Sequence, residues 1–211
     1  MLILASASPR RRELLTQAGY EFKIHPANIP EDPHTNEDPI AYVSRLAQQK
    51  AEAVFRSLGD PTAVVLGSDT TVTIDNQILG KPENEADAAR MLRLLSGRTH
   101  RVITGVSLVY GLNESENAKA ALSQAAQASN TESKTAAEIT TVQFLNLTEA
   151  DIAAYIATGE PNDKAGAYAI QGQAARWIPR IEGCYYNVMG LPISRVATML
   201  ADLTGTANSL S

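Results

Sequence analysis

The sequence has few of the residue types that define several common classes of protein. Among its 211 residues there are one cysteine and three histidines. A single thiol, Cys184, excludes an internal disulfide and a cysteine-rich zinc site. The histidines, His25, His34 and His100, are scattered and lack the spacing that is typical of metal ligands. The sequence therefore predicts neither a disulfide-stapled domain nor a zinc-bound one.

Long apolar runs and an excess of basic charge are also missing. No stretch approaches the roughly 18 consecutive apolar residues that are needed to cross a membrane. The chain is apolar from residue 2, without the basic lead-in of a signal peptide. Its formal net charge of −5 and its pI near 5.2 argue against broad binding to nucleic acid. We expect a cytoplasmic protein with neither a membrane nor a nucleic acid as partner.

Strand and helix patterns alternate along most of the chain. Asp75 and Asn76 form a good turn pair, which predicts a hairpin between the strands on either side of them. The predicted strands cover residues 2–5, 22–25, 63–66, 71–74, 77–79, 102–110 and 139–147, with short extended pieces at 168–170, 177–181 and 185–189. The predicted helices cover residues 9–18, 40–58, 84–95, 150–158 and 192–203.

Residues 111–138 interrupt this alternation. They are mostly Ala, Ser, Asn, Gln and Glu, with almost nothing to bury. We interpret them as a surface insertion, disordered or loosely helical, that has no role in chemistry. Residues 206–211 are interpreted as a frayed tail. Residues 1–205 then form a single domain, which suits the length of the chain.

The first candidate site is the stretch after the first predicted strand. Ser8 is placed as an N-cap and Pro9 as the first helical residue, where its missing N–H costs nothing. The free amides of a helix start carry partial positive charge, and Arg10, Arg11 and Arg12 add three full charges. This arrangement is typical of a phosphate-binding site. The alternative is a surface helix with solvated arginines.

The second candidate site follows the apolar strand that ends near Leu66. Gly67 permits a close approach of a ligand or of another backbone, and Asp69 then places a carboxylate at the end of the strand. Open α/β sheets bind ligands at the carboxyl ends of their strands. Asp69 is therefore a candidate to hold a divalent metal or to take a proton from water. The alternative is an aspartate that closes a turn.

Two further segments carry polar residues among small or rigid ones. Lys81 lies between a glycine and a proline, which suits a point-charge contact to a phosphate but is weak evidence alone. Lys164 and Gln171 are surrounded by small residues that leave room for a ligand. A neutral amide donates one hydrogen bond and accepts another, which matches a uracil or thymine edge. The alternative for Gln171 is a solvated loop residue.

Six segments occur together and in a fixed order, which makes them far more specific than any one alone. They are SASPRRRELL, GSDTTV, LGKP, SGRTHRVITGV, DKAGAYAIQG and GCYYNVMGLPI. This set resembles the Maf family of nucleoside triphosphate pyrophosphatases over nearly the whole chain except residues 111–138 and the tail. The resemblance implies an α/β fold with a mixed, strongly twisted sheet and two lobes around a substrate cleft. It also implies that a nucleoside triphosphate is hydrolysed between its α and β phosphates with the help of a divalent cation. This reaction removes unwanted nucleotides.

The resemblance also assigns roles to individual residues. Asp69 matches the proposed catalytic base, and Glu31 falls at an acidic position that shares the metal, Mg²⁺ or Mn²⁺, with it. The phosphate-binding element corresponds to Ser8, Arg10 and Arg11. Basic positions that line the cleft correspond to Lys50, Lys81 and Lys164.

Base preference is implied by three positions. The branch of the family that acts on dTTP and UTP carries the residues found here as Arg11, Thr70 and Gln171. The sister branch, which acts on 7-methyl-GTP, has tryptophan, glutamine and glutamate there. We therefore expect dTTP and UTP as substrates. The alternatives are the same chemistry on 7-methyl-GTP or another modified base, or a nucleotide-binding regulator of septum formation without turnover. The insertion bears on a possible homodimer or a partner surface rather than on the chemistry.

Overall fold

The computed structural model describes residues 1–112 and 131–204. The predicted tail at 206–211 and most of the predicted insertion lie outside the described residues. The strands are β1 (Leu2–Leu4), β2 (Phe22–Ile24), β3 (Val64–Ile74), β4 (Gln77–Leu79), β5 (Thr99–Gly111), β6 (Thr131–Gln143) and β7 (Arg180–Glu182). The helices are α1 (Pro9–Gln17), α2 (Pro39–Leu58), α3 (Glu85–Leu95), α4 (Glu149–Ala157), α5 (Tyr185–Met189) and α6 (Ile193–Thr204), and there are 3₁₀ segments at Glu160–Asp163, Ala165–Ala167 and Gln173–Trp177.

The seven strands found in the described residues form one mixed sheet, as expected. Their order is β2-β1-β3-β5-β6-β7, and β4 pairs with β3 beside this path. β2, β1 and β3 are parallel, whereas β5, β6, β7 and β4 pair antiparallel with their neighbours. β1 ends at Leu4, opposite Leu66, and β3 continues beyond that point. The continuing part of β3 carries the centre of the candidate site.

Local sequence signals account for several element boundaries. The Asp38 side chain accepts hydrogen bonds from the first backbone N–H groups of α2, which satisfies donors that have no partner inside the helix. Asp75 and Asn76 both have positive φ, at 50° and 59°, and connect β3 to β4. Positive φ at both positions defines a type I′ hairpin turn, so the predicted hairpin is confirmed.

Helix α2 covers one face of the sheet. Five residues predicted at helical spacing are all buried: Val43, Leu46, Ala47, Ala51 and Val54. Burial of each of the larger aliphatic side chains contributes about 1.5–3 kcal/mol. The backbone approaches β3 so closely that a Cβ atom at Gly67 would lie 2.0 Å from the carbonyl oxygen of Ala47. Glycine at this position therefore sets the distance between α2 and the strand.

The other face of the sheet is covered by two apolar clusters. One joins α1 and α6 to β1, β3 and β5, and its fully buried members include Leu14, Leu66 and Val196. The second surrounds the β3–β4 hairpin with α3, α4 and the 3₁₀ segments, and it includes Tyr155 and Trp177.

Residues 131–138 correct the predicted insertion, because they form the first part of β6. They pair with β5 in an unbroken ladder that begins at Thr131 opposite Gly111. Three of these eight residues are exposed and the other five are half-buried, so a polar composition is compatible with a strand that is held by backbone hydrogen bonds. Composition alone did not distinguish such a strand from an irregular segment.

Two other predictions were wrong. The extended piece at 185–189 is the short helix α5, which ends at Gly190 with φ 110°. A short apolar run bounded by glycines does not distinguish strand from helix, since it is too short to show a period. Residues 168–170 form no strand and lie between two of the 3₁₀ segments.

Candidate active site

A cavity of about 650 Å³ opens beside the end of β1, a volume in the usual range for small-molecule sites. Its walls come from the start of α1, the loop before α2, α2 itself, β3, the end of β4 and the segments around residues 163–171 and 188–190. All ten predicted site residues line it: Ser8, Arg10, Arg11, Glu31, Lys50, Asp69, Thr70, Lys81, Lys164 and Gln171.

Two carboxylates meet one ammonium group in this cavity. Lys50 Nζ lies 2.6 Å from Asp69 Oδ1 and 2.6 Å from Glu31 Oε1. The Lys50 and Asp69 side chains are nearly inaccessible, whereas that of Glu31 is half exposed. Asp69 is thus at the buried end of the group, and Glu31 faces the mouth of the cavity.

Asp69 lies in the middle of β3, so its predicted place at a strand end was wrong. The strand continues past Gly67 because β5 pairs with it residue by residue from Val64 to Thr73. Asp69 nevertheless reaches the cavity, since the neighbouring strand β1 has already ended opposite Leu66. Asp69 is open to the cavity because β1 is shorter than β3.

The environment changes the acidity of both carboxyl groups. Burial raises the pKa of Asp69 above its ordinary value, although the charges of Lys50 and Arg11 oppose the rise. Burial also acts to raise the pKa of Glu31, but the hydrogen bond from Lys50 and the charges of Lys50 and Lys81 outweigh it, so the Glu31 pKa is lowered. A carboxylate with a raised pKa is the better proton acceptor near neutral pH. Of the two, Asp69 is therefore the better candidate base.

The first turn of α1 forms the next wall. Pro9 is the first helical residue, as predicted, but the Ser8 side chain makes no capping hydrogen bond. Instead the Ser8 backbone N–H donates to Ser6 Oγ at 3.2 Å. Arg10 is half-buried at the cavity, and Arg12 is exposed. The helix start thus presents Arg10 to the cavity and Arg12 to solvent.

Arg11 is held almost entirely by protein oxygens. It donates to Gly190 O at 2.8 Å, to Ser68 O at 2.9 Å, to Thr70 Oγ1 at 3.1 Å and to Ser6 Oγ at 3.2 Å. Burial lowers the pKa of its guanidinium, although an arginine in a protein stays charged. Because most of its donors are used, Arg11 ties α1 to β3 and to the segment after α5.

Thr70 and Asp69 serve different walls of the cavity. Adjacent residues of a strand point to opposite faces of the sheet. Asp69 therefore faces Lys50 on α2, while Thr70 Oγ1 lies 3.1 Å from Arg11 Nη2 and 3.0 Å from Thr104 Oγ1. Of these two consecutive residues, Asp69 therefore belongs to the group with Glu31 and Lys50, and Thr70 belongs to the wall that contains Arg11.

The remaining predicted residues form the far wall. Lys164 Nζ donates to Glu160 O at 2.8 Å and to Asp163 Oδ1 at 2.5 Å. Lys81, after β4, is exposed, and so is Gln171. Within the described part of the chain, the Gln171 amide makes no hydrogen bond to protein. Its N–H donors and its oxygen acceptor are therefore available to a ligand.

The cavity also contains polar residues that the sequence analysis did not single out, and Tyr42, Asp163 and Ser6 are among them. Tyr42 donates from its hydroxyl to Glu31 O at 2.8 Å, and its place in the apolar face of α2 made it indistinguishable from a core residue. Asp163 bridges Lys164 and Arg10, at 3.4 Å from Arg10 Nη1. Its position directly before Lys164 in the DKAG segment was the available signal. Ser6, which accepts from Arg11, had no signal apart from its place near Ser8.

Comparison with known proteins identifies the family. The chain belongs to the Maf-like proteins, since the family model described as "Maf-like protein" matches residues 1–203. A Koribacter versatilis protein named dTTP/UTP pyrophosphatase is 48% identical over 199 residues, covering 94% of this chain and 92% of that protein. A Moorella thermoacetica protein of the same name is 48% identical over 200 residues, covering 95% and 93%. The expected family is thereby confirmed.

More distant relatives carry the same name. A Thermococcus onnurineus dTTP/UTP pyrophosphatase is 44% identical over 196 residues, covering 93% of this chain and 94% of that protein. The solved structure of the Staphylococcus aureus Ham1 protein aligns with 96% of this chain and 98% of that chain at 12% identity and a TM-score of 0.49. Separately, none of the helices in residues 1–112 and 131–204 is long and apolar enough to cross a membrane.

Proposed function

We propose that this protein hydrolyses dTTP and UTP between the α and β phosphates, giving the monophosphate and pyrophosphate. The observation that carries the proposal is the group of Asp69, Glu31 and Lys50, with a nearly inaccessible carboxylate at the base of a cleft whose other walls bear cations. The names of the relatives support the same activity.

Asp69 acts on the attacking water in this proposal. Its carboxylate orients or deprotonates a water molecule for attack on the α phosphorus, and its raised pKa favours that role. The leaving pyrophosphate gains negative charge during the reaction. Positive charge around the cavity stabilises this leaving group. It comes from the start of α1 with Arg10 and from Lys81 and Lys164.

The carboxylate oxygens of Glu31 and Asp69 also fit a divalent cation, Mg²⁺ or Mn²⁺. In the described residues, no three acidic, histidine or cysteine side chains lie close enough together to hold a metal alone. Glu31 and Asp69 do converge, since each places an oxygen 2.6 Å from the same ammonium of Lys50. Mg²⁺ commonly binds through one or two carboxylates plus substrate phosphates. These two residues would hold the cation, which when bound supplies charge neutralisation at the triphosphate.

Base recognition is assigned to the turn that carries Gln171, which is called the base end of the cavity. The Gln171 amide can donate to a pyrimidine carbonyl and accept from the neighbouring N–H. Arg11 and Thr70 bound the same cavity and are held to each other at 3.1 Å. We propose that these three residues select uracil and thymine, as the resemblance implies. In this proposal Lys50 holds the Asp69 carboxylate, and Ser8, which lines the same cavity, contacts the phosphates.

One assay tests this function. The purified chain is incubated with dTTP, UTP, CTP, GTP, 7-methyl-GTP and modified pyrimidine triphosphates, with Mg²⁺, Mn²⁺ or a chelator. Pyrophosphate and orthophosphate are measured separately. We expect metal-dependent release of pyrophosphate, fastest with dTTP and UTP. Fastest release from 7-methyl-GTP would favour the alternative substrate, and binding without pyrophosphate would favour a regulator. The cytoplasmic location and the homodimer stay predictions.

A further inference from the structure

The turn that carries Gln171 is held from behind by two residues that do not line the cavity. Gly172 N donates to Ala169 O at 3.1 Å and closes the turn. On the side away from the cavity, the backbone N–H of Ala169 donates to the hydroxyl of Tyr155 at 3.1 Å. One end of the turn is thus anchored to helix α4.

The other end of the turn is anchored to Glu160. The backbone N–H of Gln173 donates to both carboxylate oxygens of Glu160, at 3.1 and 3.2 Å. The Tyr155 hydroxyl in turn donates to Glu160 Oε1 at 2.7 Å. A single connected pair of side chains therefore fixes the backbone on both sides of Gln171.

Packing around this pair leaves little freedom. Tyr155 is fully buried, and its ring meets that of Trp177 edge-on with the ring centroids 5.3 Å apart. A Cβ atom at Gly172 would lie 2.0 Å from Glu160 Oε1, so the carboxylate approaches the turn closely only because this residue is a glycine. The position of the turn is thus set by the carboxylate, while Gln171 itself is exposed.

We propose that Tyr155 and Glu160 are positioning residues that determine base selectivity by holding the Gln171 turn at the base end of the cavity. This inference rests on the proposed function, in which Gln171 recognises a pyrimidine edge. A hydrogen bond to a base requires correct placement of the amide, and a site built to make such bonds loses discrimination when they are misplaced. Glu160 also accepts from Lys164 through its carbonyl oxygen, which side-chain substitution leaves intact.

The test is the ratio of kcat/KM for UTP to kcat/KM for GTP. This ratio does not depend on the fraction of active enzyme, so loss of folded protein alone leaves it unchanged. We expect Tyr155→Phe and Glu160→Ala each to lower it about tenfold, the equivalent of one well-placed hydrogen bond. The change should lie mainly in KM for UTP. Glu160→Gln keeps Oε1 as an acceptor, and we expect it to restore most of the ratio.

Two further variants separate positioning from a general structural role. Asp151→Ala breaks the capping box at the start of the same helix, α4, without touching the turn, and it should lower stability while leaving the ratio unchanged. In a Gln171→Ala background, Tyr155→Phe should have no further effect on the ratio. In Tyr155→Phe alone, hydrogen exchange at the Ala169 amide should be faster than in the wild type.

The outcomes distinguish the two levels of the hypothesis. A wild type without pyrimidine preference contradicts the proposed function and this inference with it. If the wild type shows the preference, and Tyr155→Phe and Glu160→Ala keep its full ratio while losing stability as Asp151→Ala does, only the positioning role is overturned.

Discussion

Lys50 reaches Asp69 across the interface between α2 and the sheet, with Nζ 2.6 Å from Oδ1. The contact depends on the close approach of the helix at Gly67, where a side chain would meet the backbone of α2. Both partners are nearly inaccessible to solvent, so each charge depends on the other for stabilisation. The catalytic role proposed for Asp69 and the stabilisation of its charge by Lys50 therefore fall on the same pair of residues.

Substitution of Asp69 tests its role as the base. Asp69→Asn keeps the shape but removes the proton acceptor, and we expect kcat for dTTP to fall by about 10²–10³. Asp75→Asn, in the exposed hairpin turn, is the matched control and should leave kcat unchanged. The measurement is pyrophosphate release at saturating substrate. Near-normal turnover by Asp69→Asn would contradict the assignment.

Removal of Lys50 tests the structural half of the pair. Lys50→Met leaves the Asp69 carboxylate buried without its cation, and we expect the free energy of unfolding to fall by about 3 kcal/mol. Because Asp69→Asn removes that charge, the double variant Lys50→Met/Asp69→Asn should recover much of the loss. Urea unfolding of the four proteins measures the coupling. Additive losses would show that the two side chains do not depend on each other.

Substitution of Arg11 should lower the stability of the protein, because its side chain is held by several hydrogen bonds. Lysine cannot reproduce four contacts to separate oxygens, so Arg11→Lys should weaken the connection to Gly190 O, which keeps only the longer hydroxyl contacts of Ser68 at 3.2 Å and Thr70 at 3.5 Å. We expect a loss of about 1–3 kcal/mol in the free energy of unfolding. The adjacent exposed residue supplies the control, Arg12→Lys, which should change it by less than about 0.5 kcal/mol. Equal effects of the two substitutions would refute the interpretation.

Base selection should change when the Gln171 amide becomes a carboxylate. An ionised glutamate accepts hydrogen bonds but donates none, so it cannot pair with a pyrimidine carbonyl. We expect Gln171→Glu to lower kcat/KM for UTP about tenfold or more relative to that for GTP. Gln17→Glu, an exposed change at the end of α1, is the control. An unchanged substrate preference would show that Gln171 does not read the base.

His100 should make stability depend on pH. It is buried against Phe144 and Tyr168, and burial lowers its pKa to about 3. In an unfolded chain the pKa is about 6.5, so only the unfolded state binds a proton between these values. The stability that neutral His100 provides is present above pH 6.5 and is lost as the pH falls toward 3.

Urea unfolding at several pH values measures this dependence. His100→Gln removes the titrating group, so the wild type should lose up to about 1.4 kcal/mol more per pH unit than the variant below pH 6. Parallel pH dependences of the two proteins would contradict the buried, neutral state of His100.

Sequence patterns predicted much of the local structure. The helical spacing of Val43, Leu46 and Val54 predicted the buried face of α2, and Asp75-Asn76 predicted the hairpin. The ordered motifs contain eight of the ten residues that the structure brings to one cavity, and the family was evident from them. The resemblance to that family supplied the other two, Glu31 and Lys50. These features were accessible because each depends on residues that are near in sequence or on a pattern characteristic of the family.

Only the tertiary structure decided where β3 and β6 begin and end and which distant residues hold the cavity walls in place. Asp69 lies in mid-strand because hydrogen bonds come from β5, where Gly105 is its partner. Residues 131–138 form a strand because β5 is beside them. The same holds for Arg11, whose donors meet oxygens as distant as Gly190, and for Tyr155, which anchors the Gln171 turn. Such contacts join segments far apart in the chain, and no local pattern of composition or period encodes a partner that only folding brings near.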